Sequence, residues 1–132
     1  MANCQWIDAR VLLMLHEESV AEHGGGRGVR DVGLLESALK RPQNLAAYNP
    51  DAGIAELAAS YAYGLVKNHP FVDGNKRAAF LSVGVFLAVN GFTFTASPVD
   101  AIQAVLALAG GDMAEDEFAV WLKANMAALS TQ

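Results

Sequence analysis

The stretch His69-Pro70-Phe71-Val72-Asp73-Gly74-Asn75-Lys76-Arg77 runs directly into Ala78-Ala79-Phe80-Leu81-Ser82-Val83-Gly84-Val85-Phe86-Leu87-Ala88-Val89, and the join between the two decides how the chain is read. The second part is apolar on nearly every side of a helical wheel, which predicts a helix over 75–90 buried in the middle of the molecule. It is too short to cross a bilayer, and it starts beside two cations. The first part breaks helical periodicity. Pro70 fixes its own φ and pushes His69 toward an extended backbone, while Asp73-Gly74 is a turn signal. A polar loop therefore delivers the chain into a core helix.

Further helices lie on both sides. One is expected over 7–23, where Ile7, Val11, Met14 and Leu15 recur at helical spacing and Gly24-Gly25-Gly26 stops the run. Asp31 caps a second, with Leu34, Leu35, Ala38 and Leu39 as its apolar side and Pro42 as its close. Residues 43–49 read as a connection. Asp51 is the expected cap of a third helix reaching about Lys67, with Ile54, Leu57, Ala58, Tyr61 and Leu65 along one face. Gly91 ends the 75–90 helix, and Phe92-Thr93-Phe94-Thr95 alternates as a short extended piece. Ser97-Pro98 opens a fifth helix that stops at Gly110-Gly111. Asp112 or Glu115 opens a sixth, carrying Phe118, Trp121, Leu122 and Met126. With no internal repeat or linker, the expectation is all-α: a single domain over 1–132, built as about six helices around one buried central helix.

Composition agrees and excludes several function classes. A chain of 132 residues with 53% hydrophobic and 17% charged residues is long and apolar enough to bury a core, so it is not a disordered chain. Nine Lys and Arg against fourteen Asp and Glu give a net charge of −5, which argues against binding along a nucleic-acid backbone. It leaves room for a local basic site. One cysteine, Cys4, forms no internal disulfide and points to a reducing compartment. The opening MANCQWIDAR lacks the pattern of an export signal. A soluble, cytoplasmic protein with no membrane partner is expected.

The polar loop carries the chemistry. A helix N-terminus presents unpaired N–H groups and the positive end of the dipole to anions. Gly74 allows close backbone approach, and Lys76 and Arg77 add two full positive charges. Asp73 offers a hard oxygen of the kind Mg²⁺ accepts when it also holds phosphates, and His69 offers a base near neutral pH. These parts fit magnesium-assisted transfer of a phosphate-containing group to a hydroxyl. Each has a plainer reading: Asp73 and Asn75 as helix caps, Lys76 and Arg77 as a solvated first turn, His69 as a loop hydrogen bonder. Basic residues in a first turn oppose the dipole, and so many specified residues in nine positions weigh against coincidence.

His-Pro-Phe-x-Asp-Gly-Asn-Lys-Arg resembles the signature of the Fic/Doc superfamily, and specifically of its Doc (death on curing) branch. The run from Gly28 to Leu39 is similar to the Doc segment upstream of the core, and the likeness extends from about Ile7 to Met126. The resemblance implies a Fic/Doc-like helical bundle with the motif between two central helices. It implies His69 as the base for the target hydroxyl, Asp73 as the Mg²⁺ ligand, and Gly74, Asn75 and neighbouring amides as an anion nest. Lys76 and Arg77 would contact nucleotide phosphates, and Phe71 would anchor the loop. Fic enzymes have a glycine where Lys76 stands and an arginine where Phe80 stands, and use both to orient ATP for AMP transfer. Their loss here points to the Doc activity: transfer of the γ-phosphate of ATP to a threonine of elongation factor Tu, which stops translation. No Glu is followed by Gly or Asn, so the inhibitory helix of many Fic proteins is missing. Restraint then falls to an antitoxin whose disordered C-terminal segment folds into a groove. AMP transfer, a catalytically silent binding module and a ribonuclease are the rival readings.

Other residues receive quieter assignments. His16 and His23 are expected at the surface rather than on a metal, Arg27 and Arg30 in a solvated loop rather than reaching the nucleotide or the protein target, and Trp6 and Trp121 in packing. Cys4 reads as a passive thiol and Glu36 as a helix-surface charge.

Overall fold

Asp8 starts the first helix by accepting the Arg10 N–H at 2.9 Å, and α1 (Ala9–His23) follows. The computed structural model describes residues 4–129. Asp31 takes the Leu34 N–H at 2.9 Å and opens α2 (Val32–Tyr48). Pro42 does not close that helix. It lies inside α2 with its ring buried, and residues 43–48 are helical where a connection is expected. A proline costs the Ala38 carbonyl its helical donor, but the turns beyond it carry Leu45 and Ala46 against the core. Arg41, one residue earlier, forms a two-pronged ion pair with Glu115. Tertiary packing outweighs the local break.

Asp51 is not a cap either. Asn49 takes its N–H in a turn, and Gly53 is the residue before α3 (Ile54–Asn68), with Glu56 reaching back to its N–H at 3.2 Å. α4 (Asn75–Val89), β1 (Phe92–Phe94), α5 (Pro98–Gly110), α6 (Glu115–Ala124) and β2 (Met126–Ala128) complete the chain. Ser97 caps α5 through the Asp100 N–H at 3.1 Å. α6 begins at Glu115, and Met126 lies beyond it in β2, antiparallel to β1 with Phe94 opposite Met126 and Phe92 opposite Ala128. The short extended piece after Gly91 thus finds a partner from the far end of the chain.

Among the described residues the fold is a compact helical bundle of six helices with one two-stranded ribbon. Its central element is α3 rather than α4: α2, α4, α5 and α6 all pack on α3, and eleven of its fifteen residues are buried. Leu57, Tyr61 and Leu65 are fully covered. The Tyr61 hydroxyl accepts the Ile7 N–H at 3.1 Å, and burial pushes its ionisation upward. α4 buries one side, chiefly Ala78, Ala79, Val83, Phe86 and Leu87, and leaves Gly84, Ala88 and Val89 outside. Trp6 stacks on Phe86, and Trp121 packs against Phe118 and Phe94. No helix among the described residues is long and apolar enough to cross a membrane.

α2 and α3 cross closely at Gly64. A Cβ built on Gly64 would lie 3.2 Å from the Ala38 Cα. Gly64→Leu is therefore expected to force the two helices apart and lower unfolding free energy by about 1–3 kcal/mol, read as a reduced urea midpoint.

Candidate active site

α3 ends in a backbone conformation that few residues adopt. His69, its C-cap, sits in the left-handed region at φ 49° and ψ 55°, not in the extended region expected before a proline. Its N–H still bonds the Leu65 carbonyl at 3.2 Å. The strain is held in place by a neighbouring segment. Arg30 Nε donates to the His69 carbonyl at 2.8 Å, and Arg30 Nη2 to the Asn68 carbonyl at 3.0 Å. The backbone N–H groups of Arg30 and Asp31 both take the Pro70 carbonyl, and Val72 donates to Gly28. Val29 and Phe71 form a single antiparallel bridge. Three consecutive carbonyls are thus gripped from one side, with a guanidinium at the negative end of a helix dipole. Arg30 is exposed, but it is not the free loop cation the sequence reading expects.

Phe71 turns inward and is 1% exposed. Its backbone N–H and carbonyl go inside with it, and one side chain answers both. Asn75 Oδ1 accepts the Phe71 N–H at 2.9 Å, and Asn75 Nδ2 donates to the Phe71 carbonyl at 3.0 Å. That pair fixes which end of the amide faces which way. The second Nδ2 hydrogen points to Nδ1 of His69 at 3.3 Å. The contact is satisfied when the neutral imidazole keeps its lone pair on Nδ1 and its proton on Nε2.

Asp73 and Asn75 do not cap α4. Asn75 is its first residue, and the Asp73 carboxylate turns toward the glycine loop, where Oδ2 accepts the Gly26 N–H at 2.6 Å. A side chain at Gly26 would crowd that side: a Cβ there would stand 2.6 Å from the Val72 side chain, which would have to shift. Oδ1 makes no hydrogen bond among the described residues. Gly74 precedes α4 at φ 77°, and the helix starts with no side-chain cap. Its first-turn N–H groups are therefore open to an anion. Among the described residues Lys76, which is exposed, has no polar partner, and Arg77, which lies over the Phe80 ring at 5.7 Å, has no carboxylate partner. Two uncompensated cations thus stand at the positive end of a helix, an arrangement that costs stability until negative charge arrives.

The seven residues singled out in the sequence therefore fall on one loop and one first turn. His69, Asp73 and Lys76 are exposed, Gly74 and Arg77 half-buried, Phe71 and Asn75 buried. The Asn75 side chain is already committed within the loop, so its backbone N–H is what it can offer an anion. A cavity of about 1210 Å³ lies elsewhere, between the first turns of α3 and α6 beside β2, and includes none of these residues.

His16 differs most from expectation. It is 3% exposed, not at the surface, and its ring stacks on Phe71 with centroids 3.8 Å apart. Nε2 lies 2.7 Å from the Asp73 carbonyl. The signal was present in the spacing of Leu12, His16 and Val20, which share the buried face of α1. His23 is exposed and bonds only the Ser19 carbonyl, so the two histidines form no pair. No group of three or more His, Cys, Asp or Glu side chains among the described residues is placed to hold a metal.

A protein-family model described as the Fic/DOC family matches residues 6–87, which takes in α1 to α3, most of α4 and the loop just described. The chain belongs to the Fic/DOC family. "Protein kinase doc" of Escherichia phage P1 is 34% identical over 92 residues, covering 70% of this chain and 73% of that protein. "Toxin Doc" of Mycolicibacterium smegmatis is 43% identical over 75 residues, covering 55% of this chain and 57% of that protein. Both are Doc proteins, and the chain is a Doc-branch member of the family.

In this Doc-branch chain the Asn75 amide is the loop's main internal brace. Asn75→Ala leaves the buried Phe71 N–H and carbonyl without partners. The expected loss is about 1–3 kcal/mol in urea unfolding followed by tryptophan fluorescence.

Proposed function

We propose that this protein is a toxin kinase that transfers the γ-phosphate of ATP to a protein hydroxyl. The observation that carries the reading is the uncapped start of α4, where open N–H groups meet the unpaired charges of Lys76 and Arg77 directly after the loop that bears His69. This is an electrostatic cradle for a polyphosphate, which is most of what phosphoryl transfer asks of a protein.

The roles follow from the atoms. Lys76, Arg77 and the N–H groups of the first turn bind the phosphates. Asp73 suits Mg²⁺: Oδ1 is a free, exposed carboxylate oxygen, Oδ2 is braced by Gly26, and one carboxylate is enough for an ion that keeps waters and phosphate oxygens as its other ligands. A magnesium ion there would neutralise charge building on the transferring phosphoryl group. His69 takes the proton of the attacking hydroxyl. Its lone pair is on Nδ1, whose 3.3 Å contact with Asn75 is long enough to be exchanged for that hydroxyl. The hydroxyl oxygen forms a bond to the γ-phosphorus, the bond to the β–γ bridging oxygen breaks, and ADP leaves.

Phosphate rather than AMP transfer is favoured by two positions that depart from the Fic pattern. Lys76 fills the place of a glycine, and Phe80 packs toward Phe94 and under Arg77, where it offers phosphate nothing. By the family resemblance the target is a threonine of elongation factor Tu, the consequence is arrested translation, and the restraining partner is an antitoxin. The names of the two Doc relatives support a kinase and a toxin.

Purified protein, Mg²⁺ and elongation factor Tu are expected to give label transfer from ATP labelled at the γ-phosphate and none from ATP labelled at the α-phosphate. His69→Ala should lower the rate at least about a hundredfold while the helical circular dichroism stays unchanged. Lys76→Ala should raise the ATP concentration needed for half-maximal rate. Transfer of α-label would make the activity AMP transfer. No transfer of either label would leave another target or a binding module.

A further inference from the structure

The carbonyl of Asp73 can only accept a hydrogen bond, so the 2.7 Å contact with His16 places a proton on Nε2 of that ring. His16 belongs to α1, separated from Asp73 by 57 positions in the chain. Its ring lies nearly parallel to that of Phe71, with an interplanar angle of 18°, and so is held flat against the base of the loop. The same edge of the ring closes on Gly74, where an added Cβ would come within 3.2 Å of Nε2. The imidazole therefore fills the space between the loop anchor and the left-handed turn, and bonds the peptide group that joins Asp73 to Gly74. Asp73 is held at two points: its carbonyl by α1 and its Oδ2 by the Gly26 N–H. With both fixed, Oδ1 has little freedom left.

We propose that His16 is a positioning residue for the metal–nucleotide site: its Nε2–H fixes the Asp73 peptide and thereby aims the Asp73 carboxylate. The inference rests on the reading of Asp73 as the metal-holding group. It assigns a task to a buried histidine that touches neither phosphate nor hydroxyl. Buried and stacked, the ring is shielded from solvent, and a neutral apolar ring of similar size could fill much of the same space. What such a ring lacks is the donor.

Two substitutions separate the donor from the packing. His16→Phe keeps a flat ring against Phe71 and removes the N–H, whereas His16→Gln keeps an amide N–H near the place of Nε2 and removes the ring. The probe is Mn²⁺ added with ATP to the full chain, followed by electron paramagnetic resonance, with Asp73→Asn as reference and thermal unfolding measured on each ligand-free protein. His16→Phe is expected to weaken ATP-dependent Mn²⁺ binding at least about tenfold. His16→Gln should recover most of that loss even if its melting temperature is the lower of the two. Loss of affinity that follows melting temperature rather than the donor overturns the proposal, as does wild-type affinity in His16→Phe. Asp73→Asn binding as well as wild type would instead overturn the metal reading of Asp73, and this inference with it. Should His16→Phe fail to fold, the ring nitrogens of the wild-type protein decide by ¹⁵N resonance: a proton on Nε2 is required, and a ring protonated on Nδ1 alone overturns the proposal.

Discussion

The structure turns on how Phe71 is buried. A loop that joins two core helices must bring backbone polar groups inside with its anchor, and each unpaired one would cost the fold about 1–3 kcal/mol. The Asn75 amide answers both the N–H and the carbonyl of Phe71 and has a hydrogen left for His69. Because the amide cannot turn without losing both backbone bonds, the face it shows the imidazole is set by the anchor. Burial of one aromatic ring is thereby linked to the protonation pattern of an exposed histidine. The other braces act on the same short run: Arg30 on the carbonyls before Phe71, His16 and Gly26 on Asp73 after it. Together they keep His69 in a left-handed conformation that a free chain would leave.

The ends of the helices were legible to different degrees. Gly91, Ser97-Pro98 and Asp31 act through their own backbones or nearest neighbours, so their effect is local and readable. Pro42 and Asp51 obey equally local rules and were overruled from a distance. Core packing beyond Pro42 and the ion pair of Arg41 with Glu115 carry α2 onward, and Glu56 serves Gly53 so that Asp51 is not needed. β2 has no strand signature at all, since Met-Ala-Ala is as ready for a helix. It is extended because Asn125 ends α6 and gives its carbonyl to the Thr95 N–H.

The site divides the same way. A nine-residue window holds the polar groups that face solvent, because their chemistry needs them side by side on one turn. Asn75 apart, the residues that steady those groups come from α1 and from the segment 24–31, and nothing near them in sequence marks the task. His16 shares the buried face of α1 with Leu12 and Val20, next to the stripe of Val11, Met14 and Leu15 that the sequence pattern suggested and of which Val11 and Met14 are exposed, and its polar ring invited a surface reading. Arg30 looked like any loop cation because its partners are backbone carbonyls, which carry no residue identity to read.

The pairing of β1 with β2 has a consequence for the chain as it leaves the ribosome. Residues 6–87 contain the whole loop and all the side chains that grip it, but α3 is also covered by α6, which comes last together with the strand that pairs with β1. Until Phe118 and Leu122 emerge, one side of the central helix faces water and the ribbon has only half its strands. The chemical groups are thus synthesised well before the scaffold that immobilises them is closed. Synthesis through α6 and β2, rather than of the motif itself, completes the scaffold behind the site.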